Sequence, residues 1–201
     1  YKRQTYTQRQ FGCHLANSYT KVSAAYRGYS CPTIEAVEMY YTENGLPWED
    51  DPETKDIDPY SYNEEAGTVN LHLYKEPRFY ASVGYDRGTY EVDGKEIILY
   101  LRGDELHGST LKETDEYQRC TGYLCQKWIP KASTYNATSN SFSYYYYAYP
   151  YLRLPELYLS YAEADFEYNG SLSAQSIEYI NRVRERCGLP TFQDSWACLL
   201  Y

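Results

Sequence analysis

The stretch that most constrains the fold is Tyr151 to Leu189, "YLRLPELYLSYAEADFEYNGSLSAQSIEYINRVRERCGL", where two helical patterns follow one another with almost nothing between them. In the first, Leu154, Leu157, Tyr158, Tyr161, Ala162 and Asp165 recur at three- and four-residue steps, which gathers them on one helix face. Pro155 suits a first helical turn, whose amides have no intrahelical acceptor, and Gly170 suits a left-handed C-terminal cap. In the second, Ser173 is the expected N-cap and Ile177, Ile180, Val183 and Cys187 form the apolar stripe. Arg182, Arg184 and Arg186 fall in the C-terminal turns, where cations complement the helix dipole, and Gly188 and Pro190 stop the helix. The short connection from Asn169 to Leu172 forces an antiparallel αα-hairpin. Two such helices cannot bury both stripes on each other alone, so further layers are required and a mainly α fold is expected.

A chain of 201 residues is long enough to fold as one domain that buries about 70% of its unfolded surface. Its net charge of -9, with 19 scattered basic residues, argues against a nucleic-acid partner, which needs clustered Lys and Arg, and against an anionic membrane surface. No apolar run approaches the roughly 18 residues of a spanning helix, and "YKRQTYTQRQ" at the start has no signal-peptide character. Tyrosine is unusually abundant, 28 residues against five phenylalanines, and this aromatic both tolerates water and offers a hydroxyl to a ligand. A tyrosine-rich binding surface and a set of tyrosines used in the core both fit that count.

Residues 1–30 show no sustained period and are expected to be irregular. Between residues 31 and 150 short helices, a hairpin and loops are expected. "CPTIEAVEMYYTENGLP" predicts a short helix capped by Thr33, with Ile34, Val37 and Tyr41 inward, ended by Gly45 and Pro47. The segment carrying Glu49, Asp50, Asp51, Glu53, Asp56 and Asp58 reads as a solvated acidic loop; it lacks the glycine and terminal glutamate of an EF-hand. "YKEPRFYASVGY" predicts a helix entered through Pro77, with Phe79, Tyr80 and Val83 inward and Arg78 paired with an acid. "GTYEVDGKEIILYLRG" predicts a hairpin around Asp93-Gly94. Residues 103–118 are a polar excursion, "CTGYLCQKWIP" is strand-like, and "KASTYNATSNSFS" reads as a loop. Beyond the helix pair, residues 191–201 begin a further helix with Trp196, Leu199 and Leu200.

Sequence-local signatures of chemistry are missing. There is no Gly-x-Ser-x-Gly elbow and no phosphate-cradling glycine loop, and His14, His72 and His107 stand apart, outside any His-Glu-x-x-His frame, so each reads as a polar loop residue. Cys120 and Cys125 enclose four residues, too wide for a Cys-x-x-Cys pair, and no zinc set is completed; the six cysteines read as structural or free thiols. No catalytic residue, metal or cofactor is expected. A carboxylate pair for glycoside hydrolysis stays open, because such pairing is spatial.

Five segments resemble, in order, the SusD/RagB family, the surface-exposed nutrient-binding lipoproteins of Bacteroidetes outer membranes. They are "CPTIEAVEMYYTENGLP", "KEPRFYASVGYDRG", "TGYLCQKWIP", "RLPELYLSYAEA" and "YINRVRERCGLPT". Pro155 and Asp165-Phe166 depart from the family's usual helix pattern. The resemblance implies a SusD-like helical fold containing TPR-type helix pairs with a small strand insertion. Residues 1–201 would form an incomplete, middle-to-late part of that domain.

It further implies a non-enzymatic binder, held at the extracellular face of the outer membrane by a lipid anchor not present in this chain. Such a binder captures a polysaccharide, an oligosaccharide or a peptide and passes it to a SusC-like TonB-dependent transporter. Candidate ligand-binding residues are Tyr26, Tyr29 and Trp48, which flank the first motif in loop-like sequence; packing roles for the same aromatics compete with that reading. Two other functions compete. One is a glycoside hydrolase using acids of the 49–58 loop, and the other is a helical-repeat scaffold that binds protein alone.

Overall fold

The computed structural model describes residues 31–92, 94–98, 121–127, 130–136, 141–143, 145 and 150–192. Tyr26, Tyr29, His14, His107, the polar excursion and the helix expected after residue 192 lie outside the described residues.

Helix α1, Ile34–Glu38, starts where expected, because the Thr33 hydroxyl accepts the Ala36 amide at 3.3 Å. It is shorter than the sequence period promised: Val37 is fully buried, while Ile34 stays 37% exposed and Tyr41 falls beyond its end. Strands β1, Tyr62–Asn63, and β2, Thr68–Val69, form a small antiparallel ladder that leads into a 3₁₀ turn, Asn70–His72. Helix α2, Pro77–Ser82, has proline in its first turn as predicted, and strand β3, Val83–Gly84, follows directly.

The predicted hairpin is present as β4, Thr89–Val92, paired antiparallel with β5, Lys95–Ile98, and Gly94 takes the positive φ of 67° that its turn demands. Among the described residues of the next strand-like run, Leu124–Cys125 forms a strand, β6, which pairs with β3. The segment read as a loop, residues 131–143, instead contributes two paired strands. Its strands β7, Thr134–Asn136, and β8, Ser141–Ser143, set Tyr135 opposite Phe142. Ser, Thr and Asn dominate the segment, and their turn character is why it reads as a loop.

Helices α3, Leu154–Asn169, and α4, Ala174–Arg186, form the αα-hairpin. Gly170 caps α3 in the left-handed region at φ 67°, and the Ser173 hydroxyl accepts the Ser176 amide at the start of α4. Tyr158 stacks on Tyr179 at 4.4 Å and Tyr161 meets the same ring edge-on, which fixes the antiparallel register. The stripe on α3 is less buried than its period implied, with Ala162 buried but Leu154 57%, Leu157 50% and Tyr161 48% exposed. Regular structure among the described residues is therefore helix-rich, with short strands in four two-stranded ladders. No helix among them is long and apolar enough to cross a membrane.

The core lies between α1, the 3₁₀ turn, α2 and β3, where Val37, Leu71, Phe79, Val83 and Tyr123 pack together with Tyr40, Val69 and Tyr85 against them. His72 belongs to this core and corrects the loop assignment made from sequence. Its Nδ1 lies 2.7 Å from Thr68 Oγ1 and its Nε2 2.9 Å from Tyr123 Oη, with the rings of Phe79 and Tyr85 alongside. A buried imidazole bonded at both nitrogens has its polar groups satisfied without water.

Candidate binding cleft

The segment Lys75-Glu76-Pro77-Arg78-Phe79-Tyr80 organises what surrounds the only one of the three candidate aromatics among the described residues. An antiparallel crossing joins residues 41–43 to 74–76: Glu43 N donates to Tyr74 O, Glu76 N donates to Tyr41 O, and Thr42 bridges Lys75. Tyr74 enters this crossing at φ 58°, in a region that non-glycine residues seldom occupy, so the turn into Lys75 is held under local strain. Glu76 is fully buried, where its carboxylate accepts two bonds from Arg78, at 2.5 and 2.7 Å, and one from Tyr41 N at 3.1 Å. A buried carboxylate needs such a fork to offset its desolvation. Tyr80, expected inward, is 39% exposed; its hydroxyl still ties the segment together, accepting Lys75 N at 3.2 Å and donating to His72 O at 3.1 Å.

Lys75 is 2% exposed and reaches across the crossing, so that Nζ donates to Tyr40 O at 2.7 Å and to Glu38 O at 3.5 Å. Nζ also lies 5.6 Å from the centre of the Trp48 ring. Burial brings the ammonium pKa down to about 8, against the pull of Glu76, Glu49 and Glu38, whose charges favour the cation.

Trp48 is clamped in place. Its Nε1 donates to Ile57 O at 3.1 Å, Thr54 Oγ1 donates to the Trp48 carbonyl at 2.8 Å, and Tyr74 packs edge-on at 6.4 Å. Only 8% of it is exposed, yet it forms part of the wall of a cleft of about 480 Å³. Glu38, Tyr40, Glu49, Tyr60 and Lys75 share that wall. Tyr60 is 56% exposed and hydrogen-bonds Glu38 through its hydroxyl, which brings the acidic loop against α1.

The acidic loop itself is mostly solvated, with Glu49, Asp50, Glu53, Asp56 and Asp58 exposed, as its composition implied. Asp51 is the exception: it is 1% exposed and accepts from Thr42 Oγ1 at 2.5 Å, from Asn44 Nδ2 and from Glu53 N. Its carboxylate is consumed in shaping the loop. Among the described residues no cluster of three His, Cys, Asp or Glu is arranged to hold a metal ion.

Sequence reasoning selected Trp48 but missed Tyr60, Lys75 and Glu38 as its neighbours in the cleft. The proline pair Pro47 and Pro59, which brackets the loop and lines the same cleft, was the available signal.

The model of the SusD family matches residues 2–198. No curated protein matches the chain. Among solved structures, a selenomethionine form of BT4246 superposes with a TM-score of 0.71 at 27% identity, over 85% of this chain and 30% of that one. A second BT4246 structure gives 0.70 at 26%. A SusD-like protein, BF3747, from Bacteroides fragilis NCTC 9343 covers 98% of this chain and 36% of that one with a TM-score of 0.60; at 19% identity it speaks to the fold alone. The chain thus spans about 30% of the length of BT4246.

Proposed function

Because the chain belongs to the SusD family across residues 2–198, we propose that it is part of a surface nutrient-binding protein and that the cleft beside Trp48 holds a glycan. The observation that carries this reading is the wall itself. An exposed aromatic, Tyr60, and a clamped one, Trp48, stand next to carboxylates and a lysine in about 480 Å³, a volume that fits one or two sugar rings. Aromatic faces suit the apolar face of a sugar, and the polar groups suit its hydroxyls.

In this reading no bond is made or broken. Glycan is held by contact and then handed to a SusC-like TonB-dependent transporter, with the protein at the extracellular face of the outer membrane on a lipid anchor. Transfer follows from the difference in affinity between the free and the transporter-bound states. Tyr26 and Tyr29 remain the further aromatic candidates.

The test is a glycan and peptide array on the full-length protein, followed by titration calorimetry on the hits and on Tyr26→Ala, Tyr29→Ala, Trp48→Ala and Tyr60→Ala. Loss of glycan binding at Tyr60→Ala with unchanged circular dichroism supports the cleft. Binding of peptides only, release of shortened glycan, or a β-barrel partner retained without any glycan affinity would each displace this reading, the last two in favour of the hydrolase and the scaffold.

A further inference from the structure

Three charged side chains line the cleft, and their hydrogen bonding is unequal. The Lys75 ammonium carries three hydrogens but has two acceptors, Tyr40 O at 2.7 Å and Glu38 O at 3.5 Å, the second at the outer limit of a bond. The third hydrogen has no oxygen acceptor among the described residues, with the centre of the Trp48 ring 5.6 Å from Nζ, on a side chain that is 2% exposed and part of the cleft wall. A buried cation one acceptor short gains most from an oxygen brought in by a ligand. Burial lowers its pKa to about 8 against the pull of Glu76, Glu49 and Glu38.

The carboxylates act in the opposite sense. Glu38 is engaged by the Tyr60 hydroxyl, whereas Glu49 is exposed and takes no hydrogen bond among the described residues. The cleft therefore presents an N–H that wants an acceptor beside oxygens that want a donor. A hydroxyl does both, and neighbouring hydroxyls on one sugar ring can serve the two sides together. A sugar carboxylate could accept from Lys75, but only by approaching Glu38 and Glu49 in a chain of net charge -9.

We propose that this cleft selects uncharged, hydroxyl-rich saccharides over acidic ones, with Lys75 donating to a sugar oxygen and Glu49 accepting from a sugar hydroxyl. The proposal rests on the cleft being the glycan site and adds the class of glycan. Lys75 and Glu49 are then specificity determinants, one satisfied by the ligand and the other excluding anions.

The experiment is calorimetry at pH 7 on the full-length protein with neutral gluco-, manno- and galacto-oligosaccharides and with an oligogalacturonate. The best neutral ligand is expected to bind at least about tenfold more tightly than the uronate. Glu49→Gln, an exposed isosteric change that leaves the fold alone, should narrow that gap by strengthening the uronate. Lys75→Met should weaken the neutral ligand by about tenfold or more, with thermal melting as its folding control. Uronate bound as tightly as the neutral sugars, or a gap indifferent to Glu49→Gln, overturns the selectivity while Tyr60→Ala still reports the cleft. Glycan binding untouched by Tyr60→Ala overturns the cleft reading and the selectivity with it.

Discussion

A single carboxylate can tie one element to the backbone of the next, and Glu76 does so: besides the fork from Arg78 it receives Tyr41 N, which joins α2 to the segment after α1. Arg78→Ala would leave that buried carboxylate short of donors. The Arg78 side chain is 46% exposed, which moderates the loss, and a destabilisation of about 2–3 kcal/mol is expected in urea melts. Arg78→Lys should recover only part of it, since a lysine cannot make the two-pronged contact.

Asp165 is a second case. Sequence periodicity put it on the buried stripe of α3, but its carboxylate turns to the start of α4, where it accepts from Ser173 N at 2.8 Å, from the Ser176 hydroxyl and from Asn169 Nδ2. The hydroxyls of Ser176 and Ser173 and the Ser173 amide hold its pKa well below the usual carboxylate range. A depressed carboxylate stabilises the fold above its unfolded pKa, near 4, and that contribution is lost as pH falls through the folded value. Asp165→Asn should therefore lower the melting temperature at neutral pH and lessen its fall on acidification. Hydrogen exchange at the Ser173 amide would report the change locally.

At the scale of elements, the pieces written in local chemistry were legible. Thr33, Pro77, Gly94, Gly170 and Ser173 each mark an element boundary through a cap, a proline or a positive φ, and each boundary stands where the sequence put it. What depended on distant partners was not. His72 looked like a loop residue because nothing near it in sequence announces Tyr123, 51 positions on. Trp48 could be picked as an aromatic near a motif, but its company in the cleft comes from α1, the acidic loop and Lys75, brought together only by folding.

The join between the helix hairpin and the body is likewise non-local. Arg184 Nε donates to Pro190 O at 2.7 Å and Nη2 to Gly45 O at 3.3 Å, across 139 positions. Gly45 sits at φ 72°, and a side chain there would run into the Arg184 guanidinium. Gly45→Ala is expected to cost about 1–2 kcal/mol from backbone strain alone, with the hairpin loosened from the body. Faster exchange in α4, with no change in the core around Phe79, would be the signature.

For the molecule as a whole, the buried titratable groups set an unusual response to alkali. Lys75 binds its proton less tightly folded, at about 8, than its ordinary 10.5, so the unfolded chain holds more protons between those values and stability rises with pH there. Tyr85 is pushed up by burial to about 12 from an ordinary 10, and burial also raises Tyr80 and Tyr123. Those phenols ionise first in the unfolded chain, so their contribution is lost as pH climbs past 10. Chemical denaturation from pH 7 to 11.5 should show a rise followed by a fall, and Lys75→Met should remove the rise while keeping the fall. A further consequence lies in how the wall of the cleft is fixed. Lys75 and Trp48 grip carbonyl oxygens, which every amino acid supplies. The outward side chains between Pro47 and Pro59 are thus interchangeable inserts on a fixed frame, and new tastes can be tried there, by drift or by design, without recasting the frame.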